Sequence, residues 1–196
     1  MKASYRLQIN RPFLFAMVGL LVVVSWLTLS RLNADPYWVD EVISAQRAGQ
    51  VSYDFDSSPL TIWQRTADVS DQVPGYYILL GQWGNLVGVS QFAGRALSWL
   101  IGLLTLAGMY QLGTLHASRL AGFSAALLLA TSAFYMLFLH EMRTYALLLC
   151  FITYALWFYA LSIQNRGGWW AQGGLVVCVA GMLYSYYLSI VVVATL

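Results

Sequence analysis

Charge is scarce in this 196-residue chain: Asp, Glu, Lys and Arg make up 9% of it, against 60% hydrophobic residues. Together with a mean hydropathy of +0.66, that shortage excludes a water-soluble domain and points to a helical membrane protein. Cysteine is also rare. Cys150 and Cys178 both fall in apolar runs without metal-ligand spacing, and they read as packing residues. The chain lacks a glycine-rich phosphate loop, a basic nucleic-acid patch, a Ser/His/Asp arrangement with usable spacing and any internal repeat. Nucleotide hydrolysis, nucleic-acid binding and triad hydrolysis therefore have no footing.

Long apolar runs are plentiful. A spanning helix needs about 20 mostly apolar residues, and Pro12–Ser30, Phe92–Gly113, Leu120–Leu139, Tyr145–Ile163 and Trp169–Tyr187 all come close. The expectation is an all-α, polytopic transmembrane helical bundle with a long first outer loop, 31–91, carrying short interfacial helices. A further apolar run opens at Leu188 and reaches Leu196 without the length to cross, so the chain reads as the N-terminal part of a larger membrane domain whose remainder is missing. Lys2, Arg6 and Arg11 precede the first run like the basic start of a signal peptide. That run is longer than a signal core and no small-x-small site follows it, so it reads as an uncleaved anchor.

The segment "PGYYILLGQWGNLVG", Pro74–Gly88, decides the topology. It is apolar but short and carries Gln82 and Asn85, as an interfacial helix would. With this segment outside the count of spans, Lys2, Arg6, Arg11, His116, Arg119 and Arg166 share one face without any acid, the asymmetry of a cytoplasmic side. Asp40, Glu41, Glu141 and Arg143 then share the outer face. The first outer loop holds Asp35, Asp40, Glu41, Asp54, Asp56, Asp68 and Asp71, every acid of the chain except Glu141. Long loops of this kind are often functional. Within it, "DEVISAQRAG" and "SPLTIWQRTA" mix apolar and charged residues as short surface helices do.

Three constellations carry chemistry. The first is Asp40–Glu41: a carboxylate partly shielded by lipid can take a proton from a hydroxyl nucleophile. The alternative is that Asp40 caps a helix starting at Glu41. The second is Glu141 and Arg143 in "HEMRTY". Ionisable residues at the end of two spans are functional candidates, and the arginine fork suits a phosphate or a carboxylate. The alternative is a structural hairpin in which Arg143 neutralises Glu141 and Tyr145 marks the interface. The third is Arg95, just inside a span, where an unpaired guanidinium is costly. It calls for an anionic partner, whether the acid-rich loop, a lipid headgroup or a substrate phosphate; snorkelling is the alternative. The tyrosines of "GYY" and "LYSYYL" read as interfacial belts that would also suit a sugar ring.

Taken in order, "WVDE" (Asp40, Glu41), "DQVPGYY" (Asp71, Pro74, Tyr77), "QFAGRALS" (Arg95), "HEMRTYAL" (Glu141, Arg143, Tyr145) and "YSYY" (Tyr184, Tyr187) resemble the N-terminal part of the GT-C superfamily of polytopic membrane glycosyltransferases. The nearest branch resembles protein O-mannosyltransferases and aminoarabinose transferases. The likeness extends over nearly the whole chain, with three departures: Val73 and Tyr186 stand where the family has histidines, and Gly75 where it has a second proline.

The resemblance implies transfer of a sugar from a polyprenyl-phosphate-linked donor to an acceptor glycan, lipid or protein, with inversion at the anomeric carbon. It places the enzyme among the lipids of a bacterial inner membrane, N-terminus cytoplasmic and active site on the outer face, with no nucleic acid involved. Asp40 would be the catalytic base and Glu41 its helper. Arg95, Glu141, Arg143, Tyr77 and Tyr145 would bind substrate. The site residues include no metal ligand set; the resemblance fixes no cofactor, and Glu141 could help hold a divalent cation. Two rivals stand beside this reading: a non-catalytic assembly or scaffold subunit, and a transporter of lipids or small molecules. A transporter predicts polar residues facing inward along the spans.

Overall fold

The computed structural model describes residues 11–50, 56–67 and 73–194. Asp54, Asp68, Asp71, Lys2 and Arg6, named above, lie outside them. The described residues form helices α1 (Arg11–Leu29), α2 (Val39–Arg47), α3 (Pro59–Ala67), α4 (Gly75–Val87), α5 (Gln91–His116), α6 (Arg119–Ala130), α7 (Ala133–His140), α8 (Tyr145–Ile163), α9 (Gly168–Ser185) and α10 (Ile190–Val193), with a 3-10 turn at Tyr187–Ser189 and no strand. The protein is an all-α membrane bundle, as expected.

α1, α5 and α8 are long and apolar enough to cross a membrane. The expected span 120–139 is realised as α6 and α7, bent by 64° at a short break. The break forms where Thr131 and Ser132 follow one another: the Thr131 hydroxyl donates to the carbonyls of Leu127 and Leu128, and the amide of Ser132 turns back to Leu129. Such local hydrogen bonds end helices. The run expected at 169–187 forms α9, which stops at Ser185; it is not among the helices apolar enough to cross, because Trp169, Trp170 and Gln172 weaken its first turns. At 13 residues, α4 is far shorter than the roughly 20 that a crossing requires.

α5 is the axis of the bundle. Its start is capped by Ser90, whose Oγ accepts from the amide of Ala93, and its buried face carries Arg95, Leu97, Ser98, Ile101, Thr105 and Leu106. One end of the bundle gathers the end of α1, the start of α5, the α7–α8 connection and the end of α9. Arg95 reaches the carbonyl of Leu32 beyond α1, Ser98 donates to the carbonyl of Glu141, and Thr144 donates to that of Ser185. At the other end Leu115, Leu161 and Ala171 pack together, close in sequence to His116, Arg119 and Arg166. Among the described residues, charge is thus segregated by end: acids and arginines together at the first, bases alone at the second.

The short helices α2, α3 and α4 form a lid over the first end. The α3 helix opens in the order Ser58-Pro59, the serine accepting from Thr61 and the proline sitting where a missing N–H costs nothing. The polar residues that kept α4 out of the span count have local partners: Gln82 donates to the carbonyl of Ser57, and Asn85 accepts from the Ser57 hydroxyl. α4 begins at Gly75, where a Cβ would meet the backbone carbonyl of Tyr184 on α9.

Candidate functional site

The site is organised by Glu41, which is fully buried. Its Oε1 accepts from Arg95 Nε at 2.8 Å and from the backbone N–H of Met142 at 3.0 Å. Its Oε2 accepts from Arg95 Nη2 at 2.6 Å and, weakly, from the N–H of Trp38 at 3.4 Å. A carboxylate offers about four acceptor sites, and here all four are in use. Arg95 is equally occupied. Its Nη1 donates to the carbonyls of Leu32 and Asp35, and its Nη2 also to that of Pro36, which with the two bonds to Glu41 engages all five of its N–H groups.

The alternative in which Asp40 caps α2 is overturned. The helix starts at Val39, the cap position is Trp38, and Glu41, three residues on, turns back to the Trp38 amide. That geometry leaves the Asp40 carboxylate outside the cap, 42% exposed and paired with Nη1 of Arg143. The ion pair expected of a structural hairpin between Glu141 and Arg143 is replaced: the salt-bridge partner of Arg143 is Asp40, although its charge still acts on Glu141. Its Nη2 donates to the Tyr145 hydroxyl at 3.1 Å and its guanidinium lies 5.3 Å from the centroid of that ring.

Met142 explains why the connection runs so close to α2. Its side chain is buried against Gly94, where any Cβ would collide with the Met142 sulfur. Met142 is thereby drawn in, its amide presented to Glu41, and the half-buried Glu141 and Arg143 flank it. Burial raises the pKa of the Glu141 carboxyl; Arg143 opposes this, while Glu41 and Asp40 reinforce it. Beside Arg143 runs a series of rings: Tyr145 lies 5.0 Å from Phe138 and 6.2 Å from Tyr186, and Tyr186 is 5.3 Å from Tyr187.

The expected residues therefore divide. Asp40, Glu41, Arg95, Glu141, Arg143 and Tyr145 converge on one end of the bundle. Arg95 has the anionic partner its position demanded, taken from the acid-rich loop, and retains no free donor for a phosphate. Tyr77 is buried in the lid, where its hydroxyl accepts from Arg47 at 3.1 Å. Asp71 lies outside the described residues. Sequence reasoning missed the Met142 amide, which has no side-chain signal; Tyr186, within the "LYSYYL" run read above as suited to a sugar ring, lies beside Tyr145 at this end.

Among the described residues, no group of three or more His, Cys, Asp or Glu side chains is placed to hold a metal ion. Along the spans, Thr105 and Thr153 bond the carbonyls four residues before them, and Tyr135 bonds that of Gly102. These three polar groups are satisfied within the bundle.

Comparison with curated proteins finds no match, and comparison with solved structures finds none either. A family model described as dolichyl-phosphate-mannose-protein mannosyltransferase matches residues 71–196. The matched segment, well over half of the chain, carries Arg95, Glu141, Arg143 and Tyr145 and begins after Asp40 and Glu41. The helical membrane bundle and this match lead to one statement of kinship: the chain belongs to the dolichyl-phosphate-mannose-protein mannosyltransferase family, membrane glycosyltransferases of the GT-C type.

Proposed function

We propose that this protein transfers a sugar from a polyprenyl-phosphate donor to an acceptor hydroxyl at the outer face of a bacterial inner membrane. The observation that carries the reading is the contact between Asp40 and Arg143, a partly exposed carboxylate beside a partly exposed guanidinium, mounted on the buried pair of Glu41 and Arg95. Family membership supports a lipid-linked sugar as donor. The segregation of charge by end supports the outer face, because basic residues without acids mark the cytoplasmic side.

In this reaction Asp40 removes the proton of the acceptor hydroxyl as its oxygen attacks the anomeric carbon. The bond from that carbon to the phosphate oxygen breaks, and its electron pair leaves with the polyprenyl phosphate. One direct displacement inverts the anomeric centre, in contrast to the two-step scheme of retaining glycosidases. Arg143 balances the charge growing on the leaving phosphate, where a low dielectric strengthens each such contact. Glu41 and Arg95 act by position: they fix the first turn of α2 and hence the place of Asp40.

The test is transfer from a polyprenyl-phosphate sugar by the full chain carrying Asp40→Asn. Loss of a general base lowers the rate by about 10²- to 10⁴-fold, and the substitution leaves the buried pair intact, so insertion and folding are retained. Wild-type turnover by a correctly inserted Asp40→Asn protein would remove Asp40 from the mechanism.

A further inference from the structure

Two ion pairs sit at the same end of the bundle and differ in kind. Glu41–Arg95 is buried, with side-chain exposures of 0% and 6%, and every donor and acceptor is engaged. Asp40–Arg143 is open, at 42% and 23%. A buried pair cannot be opened without stranding a charge; a partly exposed one separates at little cost. The second anchor of Arg143 is the hydroxyl and ring of Tyr145, a neutral group that holds the guanidinium near the site without neutralising it. Asp40 is fixed through α2 by Glu41, so opening the pair requires only the Arg143 side chain to move.

We propose that Arg143 covers the base in the resting protein and is handed from Asp40 to the phosphate of the donor, so that the acceptor is activated only after the donor has bound. This rests on the reading of Asp40 as base and Arg143 as phosphate ligand. The single movement serves both halves of the displacement. It brings a positive charge to the leaving oxygen, and it leaves Asp40 as an uncompensated carboxylate able to receive the acceptor's proton. Without a donor the base stays occupied.

The handover has a thermodynamic signature. If donor phosphate must compete with Asp40 for Arg143, the competition weakens donor binding by the worth of the pair, as any need for a conformational change does. Removing the competitor should then tighten binding even as it abolishes transfer. The experiment measures the affinity of polyprenyl phosphate, without sugar, for the full chain in nanodiscs of a zwitterionic lipid. It compares wild type, Asp40→Asn, Arg143→Gln and the double variant, each checked for a native unfolding midpoint. Asp40→Asn should bind roughly two- to fivefold tighter than wild type, the range of a partly exposed pair, and this gain should vanish in the Arg143→Gln background.

An equal gain in both backgrounds would mean simple removal of negative charge near the phosphate and would overturn the handover, as would no gain at all. Asp40→Glu, which keeps a carboxylate, should bind like wild type; tightening there also counts against the proposal. Failure of the underlying reading looks different: polyprenyl phosphate would bind none of the proteins, or Asp40→Asn would still transfer sugar.

Discussion

The carboxylate of Glu41 meets the guanidinium of Arg95 at two points, 2.8 and 2.6 Å, across 54 residues of sequence. This pair, together with the amide of Met142, joins α2, the start of α5 and the α7–α8 connection in a single knot. Each of these pieces alone is a short helix end or a turn. Joined, they set Asp40 opposite Arg143.

The first prediction concerns that knot. Glu41→Gln or Arg95→Gln leaves one buried charge without its partner, which costs about 3–5 kcal/mol. Replacing both by apolar residues, Glu41→Leu with Arg95→Met, strands no charge and should cost less than either single change, although the Met142 amide still loses an acceptor. Denaturant or SDS titration of the inserted protein measures this. Costs of the two singles that simply add in the double would show that the residues do not act as a pair.

The next prediction is a pH dependence. Burial, opposed by Arg143 and reinforced by Glu41 and Asp40, raises the Glu141 carboxyl above its ordinary value. A group whose pKa is higher in the folded than in the unfolded state stabilises below the unfolded value, and that stability is lost as pH rises through the folded one. Relative to Glu141→Gln, the wild type should therefore lose stability as pH climbs from about 4 through the raised carboxylate range. Unfolding midpoints of the two proteins across that interval check the sign. A difference that does not change with pH would mean the carboxyl titrates alike in both states.

Gly75 gives a steric prediction. The family pattern has a proline here, yet a Cβ at this position would meet the carbonyl of Tyr184. Gly75→Ala and Gly75→Pro should each push α4 from the end of α9, costing about 1–3 kcal/mol as overpacking does. Thermal unfolding reads the loss. A neutral or stabilising Gly75→Pro would mean that the α4–α9 contact yields.

Some of this was legible in the sequence. Run length located α1, α5 and α8, because a bilayer demands a continuous apolar stretch. The lid helices were legible from their mixed, turn-length patterns, and Arg95 announced its need for an anion. Partner choice was not legible. Asp40 and Glu41 are adjacent, and only the helix start at Val39 decides which turns inward: Glu41, three residues past the Trp38 cap, faces the core, and Asp40 does not. Arg143 lies two residues from Glu141 and bonds instead to an acid 103 positions away in number, a tertiary outcome without a local signature. The bend between α6 and α7 was hidden because Thr131 and Ser132 are only weakly polar and leave the apolar run uninterrupted.

Tyr145 supports the last prediction, which separates its hydroxyl from its ring. The hydroxyl accepts from Arg143 Nη2, and the ring lies under the same guanidinium and beside Phe138 and Tyr186. Tyr145→Phe removes only the hydrogen bond, worth about 0.5–1.5 kcal/mol, and keeps the cation–π contact and the ring series. Tyr145→Leu removes all three. If Tyr145 keeps Arg143 available to the leaving phosphate, kcat/KM for the lipid-linked sugar should fall modestly in the first variant and further in the second. The KM of the acceptor should stay put in both. A rise in acceptor KM alone, or equal effects of Phe and Leu, would show that the ring does not hold Arg143 in place, since a purely structural ring would lower stability without sorting donor from acceptor.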